Sequence, residues 1–225
     1  ILVTAVCFFN GTEVGLPEIR FVPFAYLLAI LLALDLVTRA LRYARAPHLA
    51  ALPLAAILLY WVHANTSFIP SWLRWNYEGL ERKPSWELLH SMMDSVRGDI
   101  TMPRVAYENS PGHERFGSMR VFEDMALLSG RATLEGVLLQ TDLNSPYIYW
   151  LQSQISVAGT GVIPGYSYPS LDPVRGTNRL DLYNASDLIA VTKEVTEALD
   201  KDPRWERKFT RPPYVIFHRT NADPH

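Results

Sequence analysis

The chain changes solvent abruptly near residue 63. Before that point two apolar stretches, Phe21 to Val37 and His48 to Val62, flank the basic loop Thr38-Arg39-Ala40-Leu41-Arg42-Tyr43-Ala44-Arg45. After it, polar and charged residues are spread as in an ordinary water-soluble domain. The mean hydropathy of +0.01 hides this, because it averages the two parts. Each apolar stretch is shorter than the roughly 20 residues that cross a bilayer core. The flanks Ile19 to Arg39 and Ala46 to Ala64 bring both to spanning length. Neither stretch has a polar face at helical period, and a helix apolar all round belongs in a large core or in lipid. The competing reading is a buried helical hairpin, but the rest of the chain is small for wrapping two such helices. The expected architecture is transmembrane α-helices over residues 1–64, followed by a small mixed α/β extracytoplasmic domain over residues 65–225.

Basic residues set the orientation. Arg39, Arg42 and Arg45 fill one short loop, and short Arg-rich loops stay cytoplasmic. The segment Asn10–Arg20 and everything after Ala64 then lie on the outer face. Trp61, Trp72, Trp75 and Tyr77 follow as an interfacial aromatic belt would. Pro23 and Pro53 are placed near helix starts, where a missing N–H costs little. Asp35 is the only charge inside either stretch and stands four residues before Arg39, so an interfacial ion pair is favoured over a proton or ion role. The chain opens on the apolar run Ile1–Phe9 with no basic segment before it, unlike a secretory signal. The expectation is the tail of a helix, and hence the C-terminal part of a larger protein.

The first 63 residues carry four basic and three acidic side chains, the remainder seventeen and twenty. Neither part has the basic surplus of a nucleic-acid binder. Cys7 is the only cysteine, and is expected to be a buried, inert thiol.

In the soluble part, Trp86, Leu89, Met93 and Val96 give Glu78–Val96 helical character. Arg104–Glu108 reads as a short strand, Asn109–Gly112 as a turn, and Met119–Leu128 as strand then helix. Ser145–Ile155 reads as a helix with Pro146 in its first turn. Gly159–Gly176 reads as a long loop. The apolar run Leu188–Val191 predicts a buried strand leading into a helix over Lys193–Leu199. Pro203–Phe209 and Tyr214–His218 predict a closing hairpin, with Tyr214, Ile216 and His218 on one face and Val215 and Phe217 on the other.

No phosphate-binding glycine loop and no metal-ligand spacing is present, so neither a cofactor nor a metal is expected. Gly112-His113-Glu114-Arg115 is the one dense polar cluster with a histidine, but an acid/base role would need a cleft. Ser129-Gly130-Arg131-Ala132-Thr133-Leu134-Glu135-Gly136 is more suggestive. Two glycines bracket an Arg and a Glu within reach of each other. An internal Arg131–Glu135 ion pair is one reading; contact with a substrate phosphate or sugar is the other. Arg20 stands where the first full helix begins, placed to meet a lipid head group or pyrophosphate, or merely to snorkel. Arg20, Arg131 and Glu135 are the candidate substrate-binding residues.

Several segments together resemble one kind of protein. Pro17-Glu18-Ile19-Arg20-Phe21-Val22-Pro23-Phe24, then Leu128–Gly136 with Asn144-Ser145-Pro146, and Asp187–Glu194 look like parts of large bacterial and archaeal polytopic membrane proteins. These are labelled "6-pyruvoyl-tetrahydropterin synthase-related" and are similar to GT-C membrane glycosyltransferases. The resemblance implies transfer of a sugar from a polyprenyl-phosphate donor on the outer face of the plasma membrane, to a glycan or protein acceptor. It implies a catalytic carboxylate in an early outer loop, upstream of this chain, and an outer domain serving as lid or acceptor platform. The alternative is a non-catalytic membrane-anchored protein whose outer domain binds glycan or a partner.

Overall fold

A computed structural model describes residues 2–10, 21–43, 47–136, 143–159, 161 and 165–220. The chain divides into two units, Ile1–Trp72 and Leu73–His225.

The first unit holds α1 (Leu2–Asn10), α2 (Val22–Leu41) and α3 (Pro47–Asn65); α4 (Ile69–Tyr77) crosses the division. Among the described residues α2 is the one helix long and apolar enough to cross a membrane, with mean hydropathy 2.0; α3 with α4 passes the same test only as a bent pair. No residue of α2 is buried, and Leu27, Ile30, Leu31 and Leu34 are more than half exposed. Asp35 pairs with Arg39 at 2.8 Å, the helical i,i+4 contact its spacing predicts. Pro53 differs from expectation. The helix opens at Pro47, so Pro53 lies inside it and cannot donate back to the preceding turn. Arg20 and the side chain of Cys7 lie outside the described residues.

The second unit is a mixed sheet covered on both faces. Its strands are β1 (Arg104–Tyr107), β2 (Ala185–Ala190), β3 (Trp205–Arg211) and β4 (Tyr214–Arg219), in the order β1-β2-β4-β3. β1 runs parallel to β2; β4 runs antiparallel to both β2 and β3. A parallel neighbour requires a crossover, and the long connection from β1 to β2 contains α6 (Met125–Ser129), α7 (Ser145–Ile155) and α8 (Pro173–Leu182). The β3–β4 turn is Pro212-Pro213, as the hairpin reading predicts.

Strand alternation divides the core in two. Val105, Tyr107, Ile189, Tyr214 and Ile216 pack with α5 (Trp86–Ser95), two 3-10 turns (Pro111–Phe116, Val121–Asp124) and α6. Ala106, Leu188, Ala190, Val215 and Phe217 pack with α7, α8 and α9 (Lys193–Asp200). Covered on both faces, β2 is buried along its whole length, which is why its second half reads as an apolar run from Leu188, while its first half buries Ser186 and Asp187.

Three local readings change. Helix α5 starts only at Trp86, because Pro84 interrupts the earlier periodicity. Met119–Leu128 contains no strand: a 3-10 turn runs into α6. The expected long loop ends early, because Asp172 accepts from the Arg175 N–H and Pro173 opens α8.

Gly130 closes α6 in the left-handed conformation, φ 84°, donating its N–H to Ala126 O at 3.1 Å. A Cβ there would run into the Gly98 carbonyl. Gly136 has open space around it. We predict that Gly130→Ala lowers stability by more than about 2 kcal/mol, since left-handed strain alone costs roughly 1–2 kcal/mol. Gly136→Ala should change it by less than about 0.5 kcal/mol. Thermal melts of the full chain in detergent micelles check this, and equal effects would refute it.

Candidate functional site: a carboxyl-lined cleft at the end of β1

β1 is an edge strand, but its outer edge is not bare. The Val105 N–H donates to Ala132 O at 2.9 Å, and Thr133 bridges Val105 in parallel. Residues 131 to 135 therefore run beside β1 and deliver Glu135 next to Tyr107. The anchor is Arg131, 4% exposed. Its guanidinium donates to Asp187 Oδ2 at 2.6 Å, to Ser186 Oγ at 2.9 Å, and to the carbonyls of Pro103 and Arg104. Asp187, wholly buried, also meets His218 Nδ1 at 3.0 Å and Lys208 Nζ at 3.3 Å. Burial pushes its carboxyl up, but the Arg131 charge, the Ser186 hydroxyl and Lys208 outweigh burial and hold it below the usual carboxylate range.

The two candidate residues thus part company. Arg131 pairs with Asp187, fifty-six residues away in sequence, rather than with Glu135. A buried guanidinium so engaged positions the chain; it is not presented to a ligand. Glu135 instead lines a cleft of about 420 Å³ together with Tyr107, Tyr149, Glu123, Arg120 and Asn109.

Glu135 is 6% exposed, and its Oε1 has no hydrogen-bond partner among the described residues. Burial raises its pKa from 4.5 to about 7, and the neighbouring Glu123 charge adds to the rise. The Tyr107 hydroxyl, which hydrogen-bonds the carboxyl, pulls the other way, as do Gln152 and Arg120. The Gln152 amide approaches without completing a bond through Nε2. Glu123 is ion-paired with Arg120. The cleft therefore holds two carboxyls in different surroundings: Glu123 paired with Arg120, and Glu135 raised to a pKa of about 7, so that it is partly protonated at neutral pH. A neutral carboxyl donates as well as accepts.

His113 is not at this site. Its ring is fully buried, with Nε2 2.7 Å from Glu108 O and Nδ1 3.1 Å from the Tyr214 hydroxyl. A carbonyl can only accept, so Nε2 carries the proton; Nδ1 faces the Tyr214 hydroxyl, which also reaches the Gly112 carbonyl at 3.3 Å. Burial lowers its pKa further. The histidine of the Gly112–Arg115 cluster is thus a core group, packed edge-on against Phe122 at 4.8 Å. Glu108 is also buried, and its Oε2 accepts from the N–H groups of Val191 at 2.7 Å and Thr192 at 2.9 Å. Among the described residues no group of three or more His, Cys, Asp or Glu side chains could hold a metal ion.

Sequence reasoning singled out Glu135 but missed Tyr107, Tyr149, Gln152 and the pairing of Arg131. No local spacing signals them: they come from three separate elements. The family described as a domain of unknown function, DUF8559, matches residues 89–223. This chain belongs to the DUF8559 family. The matched region runs from α5 through β4, so it contains the whole sheet and the cleft, and the apolar helices precede it. No curated protein and no solved structure is similar to the chain.

Two outcomes are expected. Arg131→Ala leaves Asp187 buried with only its weaker partners, and should cost about 3–5 kcal/mol. A loss under about 1 kcal/mol in denaturant titration would show that the pair is not what anchors residues 131 to 135. Glu135 binds its proton more tightly folded than unfolded, so its contribution is full below pH 4.5 and is lost as pH rises to about 7. That loss amounts to about 3 kcal/mol for the whole shift. Glu135→Gln should remove this slope, so melting curves of wild type and variant diverge between these two pH values; parallel curves would exclude a raised pKa.

Proposed function

We propose that the DUF8559 region of this chain is an extracytoplasmic, membrane-anchored domain that binds glycan in the cleft around Glu135. The observation that carries this reading is the Glu135 carboxyl itself: buried, with its pKa raised to about 7 and one oxygen lacking a partner among the described residues, in a cleft it shares with Tyr107 and Tyr149. Sugar hydroxyls each donate and accept, and their C–H faces stack on aromatic rings. A partly protonated carboxyl, a second carboxyl paired with Arg120 and the Tyr107 and Tyr149 side chains that line the cleft match that chemistry. The terminal torsion of Glu is soft, so Oε1 can turn toward an incoming hydroxyl. The anchor would be the exposed apolar helices α2 and α3, with the arginines between them on the cytoplasmic side.

A wider reading makes the chain part of a glycosyltransferase-like membrane protein of the plasma membrane, with a polyprenyl-phosphate sugar as donor and the cleft holding the acceptor. One observation favours it: the cleft holds two carboxyls in different surroundings, one paired with Arg120 and one raised by burial, and carboxyl pairs are the groups that acid/base chemistry at a glycosidic bond uses.

The test is binding of labelled neutral oligosaccharides to the full chain in micelles, followed by transfer from polyprenyl-phosphate sugars in membranes. Glu135→Ala and Tyr149→Ala should weaken binding at least tenfold while the protein stays folded and inserted. Binding unchanged in both variants, or no binding by wild type, would sink the glycan reading. Loss of transfer in Glu135→Gln with binding retained would extend it to the enzyme.

A further inference from the structure

A second cleft, of about 530 Å³, opens between α7 and α8. It is built by a close approach of the two helices. Gly176 lies against Ile155 and Gln154, where a Cβ would collide with the Ile155 side chain. One turn later α8 presents Arg179. Gln154, itself buried, accepts a hydrogen bond from Arg179 and holds its guanidinium over the Trp150 ring, 5.5 Å from the centroid. Tyr166 completes the platform, 5.7 Å from Trp150 and tilted by 59°. Tyr147 and Tyr183 also line the cleft.

The polar character of this cleft is the opposite of the first. Among the described residues lining it, Arg179 is the only charged side chain, and no carboxylate balances it. Gln154 takes one of the five guanidinium N–H groups, leaving a fork suited to a carboxylate or phosphate. The aromatic rings beside it suit the C–H face of a ring. A ligand that satisfies both is a sugar carrying an acidic group.

We propose that the cleft between α7 and α8 binds the acidic residue of a glycan, with Arg179 taking the anionic group and Trp150 and Tyr166 taking the ring face. This rests on the glycan-binding reading of the domain and names its ligand class. It uses neither Glu135 nor Tyr107, so the two sites fail separately.

The test reads the indole N–H signal of Trp150 in the full, nitrogen-15-labelled chain in detergent micelles. The signal is assigned as the one missing in Trp150→Phe. Glucuronate at millimolar concentration should shift it, while glucose, acetate and inorganic phosphate should not. Arg179→Gln and Tyr166→Ala should each weaken the glucuronate response at least fivefold, with the other five indole signals in place as the check on folding. Glu135→Ala should leave that response unchanged even while neutral oligosaccharide binding is lost. An equal response to glucose would remove the role of the charge. An equal response to acetate or phosphate would reduce the site to an anion contact without sugar recognition. Absence of any glucuronate response, or full retention of it in Arg179→Gln, would overturn the proposal.

Discussion

The second unit is organised around one buried carboxylate. Asp187 sits on β2 with Ser186 beside it, His218 of β4 and Lys208 of β3 on one oxygen, and Arg131 on the other. Arg131 carries the connection onward to the carbonyls that lead into β1. A carboxylate removed from water is costly alone, and removing one partner of such a pair leaves an uncompensated charge. The arrangement therefore does more than add stability. It ties four strands' worth of backbone to one point and specifies the path of residues 131 to 135.

That path creates the cleft. Once Arg131 is fixed and Gly130 has turned the chain past Gly98, Thr133 bridges β1 and Glu135 must fall beside Tyr107. There the carboxyl finds Tyr107 and Glu123, and among the described residues lining the pocket the one cation, Arg120, is paired with Glu123. Desolvation outweighs the Tyr107 hydrogen bond, and the pKa rises to about 7. The same segment thus contains an arginine paired with a buried carboxylate and a glutamate whose ionisation burial disfavours. Helix α7 links this cleft to the second one: Tyr149 and Gln152 face Glu135, while Trp150 faces Arg179.

Much of the architecture is legible from pattern alone. The alternation Tyr214-Val215-Ile216-Phe217 separates into the two cores residue by residue, because side chains of a strand point to opposite faces. Ser145–Ile155 and the run after Asp187 read correctly because both carry strong local signals: a proline in the first helical turn, and an unbroken apolar stretch. Helix α8 is missed because its polar face, its central Gly176 and the preceding Gly- and Pro-rich segment all imitate a loop. Its start depends on the Asp172 cap, a signal of only one residue. His113 follows the plainer reading of its cluster: lining no part of the Glu135 cleft, its ring turns inward to Glu108 and Tyr214 while Glu114 and Arg115 stay exposed.

The sequence by itself determined the two-part character of the chain, the strand faces, the hairpin and the candidate glutamate, because periodicity and apolar runs are local and survive without knowledge of neighbours. Only the tertiary structure decided what surrounds Arg131 and Glu135. Their spacing made them partners; their surroundings separated them. Whether a charge is paired or desolvated depends on groups brought together from distant elements, here Asp187 and Tyr107, and no local spacing encodes that meeting.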